Sequence, residues 1–324
     1  MPYIVITGDK HTRHKRPYYD SILKVMDWFV DSEWNHEDNI YVSLGDETEE
    51  SINKGEINSI ILNFYKSLKM KKKYVLKGNH DYKNENGSNL EMLSIFPEVE
   101  VINEWQEINL EGIECLFLPY FYSLPNGDTM EDIYSSLRLD KEFDYAFGHI
   151  MDETKQFSKT SKICDLSNLK IKKRVFGHDH KFGGNYLGSM HPNSKTEINK
   201  KPHIYVIDIE TGEGKAVEIP LYLNYYDVAY PDKLPEFKED YIMLRITEAI
   251  DVEKTIEYYT KLMKDQGKDF YRISINRKRL IERQVEGDKI SDDLTDGQFY
   301  DKFETDNKID DSVSGIIRPL LKRI

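Results

Sequence analysis

Five apolar runs in this chain of 324 residues break off in the same way, and that repetition constrains the fold more than any other feature. "PYIVITG" (2–8) opens into Asp9 and His11, "NIYVSLG" (39–45) into Asp46, and "KKYVLKG" (72–78) into Asn79, His80 and Asp81. "FDYAFGH" (143–149) ends on His149, and "KKRVFGH" (172–178) ends on His178, with His180 two residues on. Short apolar runs of this kind have the form of strands buried in a sheet. The glycine in each lets the chain bend sharply and lets a metal ion or phosphate approach the backbone. Taken singly, a "GH" or "GD" is more often an ordinary polar turn. Five such clusters, all past strand ends, fall in the crevice where open α/β sheets bind ligands.

The segments between the runs are amphipathic. Residues 18–34 place Ile22, Leu23, Val25, Met26, Phe29 and Val30 near one helical stripe, and 57–69 form a second helix. Strands alternating with helices predict parallel pairing through right-handed crossovers. Further on, 98–103, 106–110 and 113–121 read as a meander, 130–139 as a helix and 203–221 as a hairpin turning at "ETGEG". The class is α/β: a layered domain with a mixed central sheet flanked by helices. Two prolines in 227–237 mark a connector, and 240–246, 251–267 and 269–277 read as strand, helix and strand, a small α/β capping domain. The expected boundaries are 1–225, 226–281 and 282–324, the last an acidic linker followed by a C-terminal segment. That apolar end serves either to dock a partner or to pack locally.

Composition excludes little. The net charge of −13 argues at first against a polyanionic partner, but Glu282 to Asp311 hold 11 acidic against 4 basic residues, a net −7. The rest is only mildly acidic, so nucleic acid stays open. No apolar stretch approaches the roughly 20 residues that cross a bilayer. The first residues lack a basic region followed by an apolar core, and two cysteines, Cys115 and Cys164, form no disulfide framework. A cytoplasmic protein without membrane association is expected.

The residue types at the strand ends are those of a metal site. Asp9, His11, Asp46, Asn79, His149, His178 and His180 outnumber the ligands of one divalent ion, which points to two ions with Asp46 bridging them. Mixed imidazole and carboxylate donors favour manganese, iron or zinc over magnesium and calcium. Such a pair polarises a phosphate and activates water, the chemistry of phosphate-ester hydrolysis. His80, beside a ligand, is the candidate general acid, with Asp81 to orient it.

In this order the clusters D-x-H, GD, GNH(D/E), GH and GHxH resemble the calcineurin-like metallophosphoesterase superfamily, over residues 3 to about 220. The resemblance implies the metallophosphoesterase fold. It also implies one metal held by Asp9, His11, Asp46 and His180, a second by Asp46, Asn79, His149 and His178, and His80 beside the scissile phosphate. "GHDHKFGGNYLGSMHPNS" is further similar to the SbcD-type DNA nuclease subunits of break-repair and recombination complexes, with Tyr186, Gly188 and Ser189 in the matching segment. That similarity implies manganese-dependent exonuclease or endonuclease cleavage of DNA, a capping domain, an SbcC-type coiled-coil ATPase partner and a homodimer. The chain departs from the pattern at Glu49, where many of those nucleases carry a histidine, in "TRHKR" after His11, and in a short tail. A carboxylate at position 49 repels phosphate unless it points elsewhere or is protonated.

The basic run Lys10 to Arg16 either grips a DNA backbone or forms a solvated loop. Arg13, His14, Tyr186 and Ser189 are the expected substrate contacts, and Tyr120, Tyr122 and Tyr186 are candidates for stacking on bases. His36 should face solvent, and His191, close behind "LGS", either approaches substrate or has a loop role, the second being favoured. Three functions compete: a two-metal nuclease subunit, a phosphatase or small-molecule phosphodiesterase, and a non-catalytic assembly partner. The complete ligand set argues against the third, the second domain against the second.

Overall fold

A computed structural model describes residues 1–49, 55–84, 87–121, 127–152, 163–194, 197, 201–230, 232–247, 251–268 and 270–275. The N-terminal alternation is β1 (Tyr3–Thr7), α1 (Tyr18–Asp31), β2 (Ile40–Ser43), α2 (Gly55–Ser67) and β3 (Lys72–Leu76), with the three strands parallel and adjacent. In α1 the buried Ile22, Val25, Met26 and Phe29 recur at helical spacing, and the helix stops at Ser32, whose amide and hydroxyl both bond the Phe29 carbonyl. A short antiparallel pair, β4 (Tyr82–Asn84) and β5 (Gly87–Ser88), leads into a 3-10 helix at Asn89–Ile95, closed by a capping box between Ser88 and Glu91.

The chain then visits two sheets. β6 (Val99–Ile102) joins the first sheet parallel to β3, whereas β7 (Gln106–Leu110) and β8 (Ile113–Leu118) form a hairpin in the second. The three-strand meander expected over 98–121 is therefore corrected. β6 buries Val99 against the helical side and Ile102 between the sheets, so it has to complete the first sheet before the chain crosses over. After α3 (Met130–Ser136), the parallel strands β9 (Glu142–Gly148) and β10 (Lys170–Phe176) finish the second sheet in the order β10-β9-β8-β7. The expected hairpin, β11 (His203–Asp208) and β12 (Gly214–Glu218), returns to the first sheet, giving β12-β11-β1-β2-β3-β6.

The two sheets face each other across a core of Ile4, Ile6, Val42, Leu76, Phe117 and Phe147. Val5, alternating with Ile4 and Ile6, points to the opposite side and packs with Phe29 and Phe64 of the helices. On the outer face of the second sheet, Leu116, Ala146 and Phe176 pack against Met130 and Tyr134 of α3. The result is a helix–sheet–sheet–helix sandwich, in which a fully buried ring such as Phe29 contributes roughly 2–3 kcal/mol by leaving water. Cys115 and Cys164 are buried and free.

A third sheet is made by β13 (Leu223–Ala229), β14 (Tyr241–Thr247) and β15 (Phe270–Ile275), all parallel, with α4 (Val252–Asp265) crossing between β14 and β15. Asp251 caps α4 by accepting the Lys254 amide at 3.1 Å, and Tyr259 and Met263 bury its inner stripe against Ile242, Leu244 and Ile246. β13 runs across the boundary expected at 225/226, so the connector begins beyond Ala229. Within β13, Asp227 pairs with Arg245 on the neighbouring strand. Tyr18, Leu223 and Tyr225 pack this sheet onto the first domain, and Lys24 bonds Asp240 at 2.8 Å. The acidic stretch from 282 and the apolar C-terminal segment lie outside the described residues. Among those residues no helix is long and apolar enough to cross a membrane.

Candidate metal centre

All five strand-end clusters converge between the C-terminal ends of β1, β2 and β3 and those of β9 and β10. The loops after β1 and β2 are tied together directly, since the amides of Lys10 and His11 both donate to the Asp46 carbonyl at 3.0 and 2.9 Å. His11, Asp46 and His178 adopt left-handed backbone conformations, with φ of 46°, 51° and 77°. Such conformations are uncommon for non-glycine residues and persist where surrounding structure enforces them. The glycines act through close approach: a Cβ on Gly78 would overlap the Asp46 carboxylate, and one on Gly177 would overlap that of Asp9.

Two sets of donors result. In one, Asn79 Oδ1 lies 2.9 Å from His149 Nε2 and 2.9 Å from His178 Nδ1, while Asp46 Oδ2 is 3.3 Å from His149 Nε2. In the other, His11 Nε2 and His180 Nε2 are 2.8 Å apart, with Asp46 Oδ2 3.5 Å from His11 and Asp9 Oδ2 3.9 Å from His180. Asp46 thus stands between the sets, where a bridging carboxylate belongs. Asp9, buried, also accepts the His178 amide at 3.0 Å.

The outer contacts identify which ring nitrogens face inward. His149 Nδ1 faces the Leu44 carbonyl at 2.8 Å, His180 Nδ1 the Glu197 carboxylate at 3.1 Å, and His11 Nδ1 the Glu49 carboxylate at 2.8 Å. A ring that donates its outer N–H to an oxygen presents a lone pair from its other nitrogen, the arrangement found behind metal-ligating histidines. The Nε2 atoms of His11 and His180 confront each other at 2.8 Å, a spacing that a shared cation makes favourable. Donors about 2.1 Å from an ion lie about 3.0–3.4 Å apart along a coordination edge, which the observed spacings approach. The residues present therefore fit divalent ions; Asp9, His11 and His180 form one group of three close donors, and His11, Glu49 and His80 another.

The electrostatics agree. Burial disfavours charge on His149, but the Asp46 carboxylate, its hydrogen bond and the Asp9 charge overcome this and push its pKa up to about 9. Burial raises the Asp9 pKa against the pull of His149 and His180. His178 is held down to about 3 by burial and then by the charge of His149, so it is a neutral ring. A site that draws a proton onto a buried imidazole is one that favours a cation.

His80 sits at the edge of this centre. Its ring packs edge-on to His11 with centroids 4.9 Å apart, and its Nδ1 donates to the Glu49 carbonyl at 2.6 Å. Asp81 does not orient it. That carboxylate is fully buried and accepts the amides of Gly78 at 3.0 Å and Thr48 at 3.2 Å, bracing the turn backbone; burial and the charge of Asp46 push its pKa up to about 7.

Several expected substrate contacts have other partners. Tyr186 is buried in the second-sheet core with its hydroxyl on Asp152, so no base can stack on it. Ser189 is buried, its hydroxyl facing the His191 carbonyl and Glu197, so it helps to hold the carboxylate behind His180. Arg13 lies over the Tyr18 ring at 3.7 Å, donates to the Asn193 carbonyl at 2.7 Å and reaches Glu49 at 3.3 Å. His14 faces Glu56 at 3.2 Å. Within the basic run, Lys10 is no solvated cation but a buried partner of Glu47. Tyr120 stacks near His178, at 6.2 Å between centroids, and Tyr122 lies outside the described residues. His36 is exposed as expected, and His191 is buried with its ring nitrogen on the Lys10 carbonyl.

The sequence reading missed two carboxylates. Glu49, noted as a departure, points to His11 and Arg13; burial raises its pKa, but the His11 hydrogen bond and nearby cations leave it lowered, hence charged. Glu197 carried no signal at all, standing in an unpatterned loop.

A sheet sandwich with aspartate and histidine donors gathered at one rim defines a metallohydrolase architecture. Residues 2–182, more than half of the chain, match the profile of the calcineurin-like phosphoesterases. The chain belongs to that family, and is accordingly a metal-dependent phosphoester hydrolase of the kind built on a dinuclear centre. No curated protein matches it. Among solved structures, one described as a novel archaeal phosphodiesterase is similar at 14% identity, over 67% of this chain and 99% of that one, with a TM-score of 0.37. A protein of unknown function from Aquifex aeolicus is similar at 14% identity over 53% of this chain and 88% of that one, with a TM-score of 0.31. Likenesses this loose bear on neither substrate nor site.

Proposed function

We propose that the chain is a two-metal phosphodiesterase that cleaves DNA, as the nuclease subunit of a recombination or repair complex. The observation that carries the hydrolytic part is Asp46, whose Oδ2 lies 3.3 Å from His149 and 3.5 Å from His11 and so joins the two donor sets. Asp9, His11, Asp46 and His180 would hold one ion and Asp46, Asn79, His149 and His178 the other, with manganese preferred over iron or zinc. Bound there, the ions supply Lewis-acid polarisation of the phosphoryl group and activation of the attacking water. The chain's own residues do the rest. Glu49, Glu197 and the Leu44 carbonyl fix the rings of His11, His180 and His149. His80, anchored through Nδ1 by the Glu49 carbonyl, is the group that protonates the departing oxygen from Nε2.

The choice of DNA is supported by the resemblance of 177–194 to SbcD-type nucleases and by a second α/β unit, β13 to β15, beside the catalytic domain. An SbcC-type coiled-coil ATPase partner, a homodimer and a cytoplasmic location belong to the same reading. The test offers labelled DNA and a generic phosphodiester to manganese-loaded protein, with and without His80→Ala. The expected result is manganese-dependent DNA cutting that falls roughly 10²–10⁴-fold in the variant. Hydrolysis of the small diester with DNA left intact would replace the nuclease by a small-molecule phosphodiesterase.

A further inference from the structure

A cleft of about 390 Å³ opens beside the metal centre and shares three residues with it, His180, Ser189 and Glu197. Its wall carries Phe182, 48% exposed although large and apolar, stacked on His203 with centroids 3.9 Å apart and rings 20° from parallel. Burial holds the His203 pKa below its ordinary value, so the stack is formed by two neutral rings. Lys181 and Lys201 also line the cleft, and the Lys201 ammonium meets the Glu218 carboxylate at 2.8 Å. What sets Phe182 apart from other exposed apolar side chains is its place in the lining of a cleft, with its ring held in a stack. Beside two ammonium groups and a phosphoester-hydrolysing centre, it suits a ligand that is flat at one end and anionic at the other.

We propose that the Phe182–His203 stack is the platform on which a nucleobase next to the scissile phosphate lies, with Lys181 and Lys201 drawing in the neighbouring phosphate. The inference rests on the phosphodiesterase reading and deepens it: the preferred substrate is a nucleotide diester rather than an aliphatic one. It also moves base recognition from Tyr186, which is buried, to a residue that follows His180 by two positions. Stacking of a base on an aromatic side chain is sequence-tolerant, because every base has a π-face.

Two measurements on the full chain test this independently. In the first, manganese-loaded wild type and Phe182→Ala are compared on dithymidylate and on glycerophosphoglycerol, an aliphatic diester. The ratio of kcat/KM between the two substrates is expected to fall roughly 5- to 150-fold in the variant, chiefly through KM for dithymidylate. An unchanged ratio overturns the platform. In the second, thymidine 5′-phosphate is titrated into metal-free Phe182→Trp. Saturable quenching beyond that of wild type, and absent with inorganic phosphate, supports the platform; its absence overturns it. Should neither diester be cleaved, the phosphodiesterase reading fails while the quenching still decides the platform.

Discussion

Replacing Lys10 with methionine is expected to destabilise the chain by about 3–5 kcal/mol, because it strands a buried carboxylate. The ammonium of Lys10 and the carboxylate of Glu47 are 2.6 Å apart and both side chains are 0% exposed. Thr7 and Ser43 hydroxyls, each at 3.2 Å, accept its remaining two hydrogens, so all three donors are satisfied. The rings of Tyr41 and Phe64 lie 5.5 and 5.7 Å from the charge. Burial alone would lower the Lys10 pKa, but Glu47 reverses this and raises it, so the pair is ionic. An exposed pair would give up no more than about 1 kcal/mol. Here the methionine leaves the buried Glu47 carboxylate with the Ser43 hydroxyl as its donor and no cation beside it. Glu47→Leu alone should cost a similar amount, whereas the double variant should fall within about 1–2 kcal/mol of wild type, since an apolar pair fills the same space. The coupling in the cycle is then several kcal/mol. Urea unfolding with a chelator present, so that metal binding does not add to stability, measures it. A cost below about 1 kcal/mol for Lys10→Met, at unchanged denaturant slope, would mean that Glu47 is not held as a buried charge by Lys10.

Glu197→Gln keeps the shape behind His180 but removes the charge that its ring donates to, so affinity for divalent ions should fall about 10–100-fold, read by calorimetric titration with manganese. Equal affinity in the variant would show that the carboxylate does not tune His180. His191 gives a pH dependence. Burial, and after it the Arg13 charge, hold it down to about 3 against an ordinary 6.5, so between those values the unfolded chain binds a proton that the folded chain does not. Stability should therefore drop as pH falls through that window, by on the order of 1.4 kcal/mol per unit. His191→Gln, which retains a donor for the Lys10 carbonyl, should flatten the dependence of Tm on pH; parallel curves would remove His191 as its source.

What was legible in the sequence was the chemistry carried by periodic elements. β1, β2, β3, β9 and β10 announce themselves as apolar runs, and imidazoles and carboxylates directly after a glycine are distinctive enough to place Asp9, His11, Asp46, Asn79, His149, His178 and His180 together. What stayed hidden depends on pairing across the chain. Glu49 and Glu197 look like any loop carboxylate until the fold brings them against His11 and His180. Lys10 reads as one cation among several, and only the approach of β2 shows that Glu47 takes it into the interior. The sequence pattern singles out Tyr186 and gives no sign of Phe182 four residues before it; packing buries the first under Asp152 and leaves the second in a cleft. The sheet to which β6 belongs is likewise decided by which core needs Val99 and Ile102, not by its own alternation.

Asp46 joins the two donor sets, and the proposed function requires each set to hold a divalent ion. Counting manganese per chain by elemental analysis, after equilibration and removal of free metal, tests it most directly. Two ions per wild-type chain are expected, and Asp46→Ala should lose tight binding at both positions because both sets share that carboxylate. One ion or none in wild type, or two retained by Asp46→Ala, would mean that Asp46 does not bridge a dinuclear centre.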